Sequence, residues 1–103
     1  MVVELSDSNF DKFVKDNKIA IIDCWAPWCG PCVRMTPIME QLSTELEGQA
    51  GVAKLNVDKN QAISVRFGIR AIPTILIFKE GVLVETLVGL RGKDDILEYI
   101  KMV

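Results

Sequence analysis

Apolar and polar positions divide the chain into segments of alternating helical and extended character. Val2-Val3-Glu4-Leu5 reads as a short edge strand, and Ser6-Asp7-Ser8 supplies N-cap chemistry for a helix with Phe10, Phe13 and Val14 at helical spacing. From Ile19 to Trp25 both alternating faces are nearly all apolar, the pattern of a central strand covered on both sides. The turn from Ala26 to Cys32 leads into a long helix ending at about Glu47, with Met35, Ile38, Met39, Leu42 and Leu46 as its apolar stripe. Pro37 inside this helix predicts a kink, and Gly48 and Gly51 mark its end and the turn beyond.

Val52 to Asp58 alternates, with Ala53, Leu55 and Val57 facing opposite to Lys54 and Asn56, and reads as a strand. Asn60 to Phe67 forms a short helix stopped by Gly68. After Ile72-Pro73, the runs Thr74–Lys79 and Val82–Val88 are separated only by Glu80-Gly81, which demands an antiparallel hairpin. Gly89 and Gly92 break the last strand, and a helix from Lys93 to about Met102 buries Ile96, Leu97 and Ile100. The order β-α-β-α-β-α-β-β-α predicts one α/β domain over residues 1–103. Its mixed central sheet would have about five strands, end in the antiparallel hairpin, and be flanked by about four helices.

Composition narrows the chemistry. Half of the 103 residues are apolar and 25% are charged, a folded rather than disordered mixture. A net charge of −2 lacks the electrostatic footprint of a nucleic-acid binder. The absence of histidine excludes Ser-His-Asp and Cys-His pairs and every His-ligated metal or haem site. Proton chemistry near neutral pH then falls to a perturbed carboxylate, lysine or thiol. No apolar run approaches the roughly 18 residues of a membrane span. The N-terminal residues lack the basic start and apolar stretch of a signal peptide, so a reduced, intracellular thiol protein is expected.

All three cysteines, Cys24, Cys29 and Cys32, lie within nine residues. Cys29-Gly30-Pro31-Cys32 follows a buried strand and opens a helix, so the pair spans the first helical turn with β-carbons about 5–6 Å apart. Modest closure brings them to disulfide range. Pro31 suits a first turn, where a missing N–H costs nothing. Cys29 at the helix start meets free N–H groups that favour a thiolate, while Cys32 lies deeper, so an exposed attacking thiol and a covered resolving thiol are expected. The alternatives are a structural disulfide or half of a zinc site, which would need Cys24 to leave its strand and a fourth ligand.

Asp23 shares a strand face with Ile21 and Trp25. Buried there, it would raise its pKa and could take a proton from Cys32; otherwise it reaches solvent or caps the next turn. Lys54 falls on the polar face of its strand, as a solvated lysine or as a cation reaching toward Asp23. Trp28 is either a core aromatic or an exposed anchor for apolar protein surface. Pro73 enters a strand with a trans or a cis peptide bond. Cys24 reads as buried and inert.

Asp23-Cys24-Trp25-Ala26-Pro27-Trp28-Cys29-Gly30-Pro31-Cys32 resembles the active-site stretch of the thioredoxin family, and Met35-Thr36-Pro37 its helix-kinking proline. Val52 to Asp58 resembles the family's third-strand motif, and Phe67 to Thr74 the loop before its fourth strand, so the likeness runs from Val2 to about Met102. The resemblance implies a protein-disulfide reductase working by dithiol exchange, with a Cys29–Cys32 disulfide in the oxidised form. It implies Cys29 as nucleophile, Cys32 as resolving thiol, Asp23 as buried acid and Lys54 as its partner. Pro73 matches a cis-proline, and the substrate-facing surface carries over to Trp28, Gly30, Pro31, Val57, Ala71, Ile72, Pro73, Val88, Gly89 and Leu90. A cytoplasmic monomer without bound cofactor or metal is implied, recycled by a thioredoxin reductase and acting on disulfide-containing proteins, not on nucleic acid or membrane.

Relatives that act as oxidants or isomerases resemble CPHC or CGHC patterns, and glutaredoxins CPYC; Gly30-Pro31 matches none of these. A binding module with spectator thiols is the reading outside enzymes. Two positions depart from the family pattern: Cys24, often an aromatic or other apolar residue, and Val33, commonly basic. Losing that charge alters partner choice and raises the thiol pKa unless Arg34 compensates.

Overall fold

In the computed structural model, which describes residues 1–103, the most apolar segments form the middle of the sheet. The strands are β1 (Val3–Leu5), β2 (Ile19–Trp25), β3 (Gly51–Asn56), β4 (Thr74–Lys79) and β5 (Val82–Val88), and the helices α1 (Phe10–Asp16), α2 (Gly30–Glu45), α3 (Gln61–Arg66) and α4 (Lys93–Met102). The sheet order is β1-β3-β2-β4-β5. β3 pairs parallel with β1 and β2, while β4 pairs antiparallel with β2 and β5. β2 is the central strand, and it and its neighbour β4 are covered on both faces, as their continuous apolar runs require.

Strand alternation divides the core into two layers. Ala20, Ile22 and Cys24 face α1 and α3 with Phe10, Val14, Leu55, Ile63 and Phe78. Ile21 faces α2 and α4 with Met35, Met39, Leu42, Val52, Ile75, Ile77 and Ile96. Each such side chain contributes about 1.5–3 kcal/mol on burial, so these stripes, not helix propensity, hold α2 and α4 in place. The parity of β2 therefore puts Asp23 and Trp25 beneath α2, and Cys24 on the other side of the sheet.

The hairpin turn has positive φ at both Glu80 (52°) and Gly81 (83°), the type I′ geometry that matches strand twist. β3 begins at Gly51, where a Cβ would lie 2.5 Å from Asn17 Cγ and 2.8 Å from Phe13 Cζ, so any larger residue must displace these two side chains.

Several expectations change. Asp7 does not cap α1; its carboxylate accepts from the backbone N–H groups of Ala62 (3.3 Å) and Ile63 (3.0 Å), capping α3 from a distant part of the chain. The N-cap of α1 is Asn9, which makes no side-chain capping bond. β3 stops at Asn56 rather than Asp58, because the Asn56 side chain accepts from Asp58 N (2.9 Å) and Lys59 N (3.3 Å), turning the backbone. The side of β3 carrying Lys54 is not a polar face: Val52 and Asn56 are buried on it and Lys54 is half-buried. On α4 only Ile96 is fully buried, with Leu97 and Ile100 packed at the edge of the core.

Candidate functional site

Cys29 is the N-cap of α2, in extended backbone conformation, and Cys32 lies one turn in. The pair forms a disulfide with a Cα–Cα separation of 5.2 Å. Cys29 Sγ accepts the Cys32 N–H at 3.2 Å, one of the helix-start donors that favour negative charge on that sulfur. Cys29 is 6% exposed and Cys32 1%. The outer sulfur is thus the more accessible, but it is far more covered than the expected open thiol. What covers it includes the loop before β4: Cys29 Sγ lies 3.8 Å from the Ile72 carbonyl oxygen.

That loop carries a cis Ile72–Pro73 peptide bond. Pro73 is buried, and its carbonyl accepts from Gly89 N at 2.8 Å, tying the loop to the end of β5. Gly89 has φ 95°, a conformation natural to glycine. Ile72 and Val57 are half-buried, while Ala71, Gly30 and Pro31 are exposed. Trp28, Val88 and Leu90 are exposed apolar side chains at 71%, 53% and 46%. Ile72 borders the disulfide directly, Trp28 precedes it, and Val88 and Leu90 flank the Gly89 that is tied to the same loop, leaving exposed apolar side chains on this side of the molecule. Trp28 Nε1 donates to Asp58 Oδ2 at 2.8 Å, which holds the exposed indole against the turn after β3. Sequence reading did not single out Asp58; the Asn56-centred turn that aims it becomes visible only in three dimensions.

Beneath α2, Asp23 is 3% exposed, and its Oδ1 has no hydrogen-bond partner in the protein. Burial drives its carboxyl up to about 7, against the opposing pull of the Lys54 charge. Lys54 stands beside Asp23 in the β2–β3 register and places Nζ 5.0 Å from the Trp25 ring centroid. Trp25 Nε1 is likewise buried without a protein partner. Both residues line a cleft bounded by Thr36, Glu40 and Lys54, with room of about 10 Å³, the scale of one water. Lys54 is thereby placed with Asp23, not as a free surface lysine.

Cys24 is fully buried on the α1–α3 side of the sheet. Burial, and then the Asp23 charge, push its thiol up to about 12. The geometry leaves it no part in a zinc site with the other two cysteines. The largest cavity, about 520 Å³ between α1 and the hairpin, holds no cysteine. No cavity is lined by Cys29 or Cys32, and the pair lies just beneath a surface without a pocket, a shape that suits a polypeptide better than a small ligand. No helix is long and apolar enough to cross a membrane.

Comparison with known proteins agrees with this geometry. The thioredoxin family profile matches residues 1–102. A thioredoxin of Rickettsia felis is 43% identical over 101 residues, covering 97% of this chain and 96% of its own. A thioredoxin of Chlorobaculum thiosulfatiphilum is 46% identical over 98 residues, covering 94% and 91%. The solved structure of a mutant thioredoxin from Halobacterium salinarum NRC-1 superposes with a TM-score of 0.90 at 35% identity, covering 97% of this chain and 88% of that one. With a paired CxxC at the head of α2 and matches along nearly its full length, this chain belongs to the thioredoxin family and is a thiol–disulfide oxidoreductase.

Proposed function

We propose that the chain reduces disulfides in other proteins, with Cys29 as nucleophile and Cys32 as resolving thiol. The observation that carries the assignment of roles is the N-cap position of Cys29: its sulfur alone of the pair accepts a helix N–H and faces the Ile72 carbonyl. In the reduced protein the Cys29 thiolate attacks one sulfur of a target disulfide. A Cys29–target bond forms, the target S–S bond breaks, and the departing target thiolate takes up a proton. Cys32 then gives its proton to the Asp23 carboxylate and attacks Cys29 Sγ. The second target thiolate leaves and is protonated, so two electrons have passed to the target and the Cys29–Cys32 disulfide is restored.

Asp23 suits this step because a carboxyl held near 7 can both accept and release a proton at neutral pH. Lys54 keeps its pKa from rising further. Trp28, Gly30, Pro31, Ala71, Ile72, Val88 and Gly89 receive the extended target segment, with Pro73 shaping the loop. We assign this work to one domain spanning residues 1–103, acting as a cytoplasmic monomer and re-reduced by a thioredoxin reductase.

The direction of the reaction is tested by the equilibrium reduction potential of the pair, titrated through Trp fluorescence in a dithiol buffer. A strongly reducing value supports a disulfide reductase. A markedly oxidising value would make the protein a disulfide donor or isomerase.

A further inference from the structure

Four segments meet around the disulfide: residues 26–34, 56–60, 69–74 and 87–92. They are joined by the Trp28–Asp58 bond, the Cys29–Ile72 contact and the Gly89–Pro73 bond. Their charged side chains are Arg34, Lys59, Arg70 and Arg91 against the single carboxylate of Asp58, on a chain whose net charge is −2. Asp58 is engaged by Trp28, whereas none of the three arginines has a carboxylate within ion-pair distance.

Arg34 is exposed, and its spacing of four from Gly30 and three from Pro31 puts it on the same face of α2. Arg70 is exposed two residues before Ile72. The Arg91 guanidinium turns back to donate to the Val88 carbonyl at 3.4 Å. The next acids along the chain, Asp94 and Asp95, lie in the first turn of α4, and neither forms an ion pair with Arg91. Their neighbour Lys93 pairs with Glu45, at the far end of α2 from Gly30 and about 22 Å along it at 1.5 Å per residue. An apolar patch is thus bordered by unpaired cations on an otherwise acidic molecule.

We propose that Arg34, Arg70 and Arg91 form a cationic rim that selects target proteins whose disulfide is flanked by acidic residues. The proposal rests on the reductase reading above. Apolar contact with Trp28, Ile72 and Val88 supplies contact energy common to all targets; the rim sets the encounter rate and decides among them. Each exposed charge pair of this kind changes the rate constant about 1.5- to 5-fold.

The test uses the reduced full chain and three peptides with the same disulfide, flanked by Glu, by Gln or by Lys. Second-order rate constants for oxidation of the reduced chain are compared at low salt and at about 0.5 M salt, where screening is nearly complete beyond a few ångströms. The Glu peptide is expected to exceed the Lys peptide by about tenfold at low salt. High salt brings the ratio toward one, and the R34Q/R70Q double variant cuts it several-fold. Equal rates for the two charged peptides, or a ratio untouched by the double variant, would overturn the rim. Turnover of the Gln peptide alone reports the exchange chemistry; failure with all three peptides overturns both readings.

Discussion

Asp23 and Lys54 stand opposite each other in register on the parallel strands β2 and β3, a buried carboxyl beside a half-buried amine. Burial and charge act on Asp23 with opposite signs, and burial wins, leaving the carboxyl at about 7 instead of its ordinary 3.8. A group poised there exchanges protons at neutral pH, which a solvated aspartate does not.

The same poise has a stability consequence. The folded protein holds the Asp23 proton up to about pH 7, the unfolded chain only up to about 3.8, so between these values the native state binds more protons. Its contribution is fully present below about pH 4, declines as pH rises toward 7, and is flat above that. A shift of about 3 units corresponds to about 4 kcal/mol. D23N, which cannot ionise, should lack this decline. Urea unfolding of both proteins at pH 4 and pH 8 should show the variant gaining a few kcal/mol on the wild type at the higher pH. An equal gap at both pH values would contradict the buried carboxyl.

Removing the charge of Lys54 should move Asp23 further up. In K54M the carboxyl midpoint, followed by carbon NMR, is expected above that of the wild type. The rise in rate of mixed-disulfide resolution should shift to higher pH with it, slowing turnover several-fold at pH 7. A midpoint that stays or falls would show that the Lys54 charge is screened from Asp23.

Asp7 joins the β1–α1 turn to the N-terminus of α3. D7A should cost about 1 kcal/mol, as loss of an N-cap does. S8A, which touches neither helix start through a backbone N–H, should cost less than about 0.5 kcal/mol. Parallel urea melts distinguish the two. Equal small losses would mean that solvent replaces the Asp7 bonds without cost.

Cys24 should be silent. Fully buried, with its thiol pushed up to about 12, it offers neither thiolate nor access. Maleimide labelling of the native reduced protein should modify Cys29 and leave Cys24 unmodified until denaturant is added. Native labelling at Cys24 would make it a third redox thiol.

What sequence reveals here follows from periodicity. The all-apolar run Ile19–Trp25 and the stripe through Met35, Met39 and Leu42 give the central strand and the covering helix, because burial demands those periods. Cys29 and Cys32 are legible because their spacing, Pro31 and the preceding strand specify a helix start. Lys54 misleads, since alternation along one strand says nothing of the helix packed over it. Asp7 misleads for a related reason: a capping residue looks local, yet its partner is chosen in three dimensions. Asp58 is missed because its role depends on where the Trp28 indole lands.

Which sulfur attacks decides the mechanism, and trapping measures that directly. With Cys32→Ser, incubation with a disulfide-containing protein should accumulate a covalent adduct that peptide mapping places on Cys29, while Cys29→Ser should trap none. An adduct on Cys24, or trapping by the Cys29→Ser variant instead, would contradict the assignment.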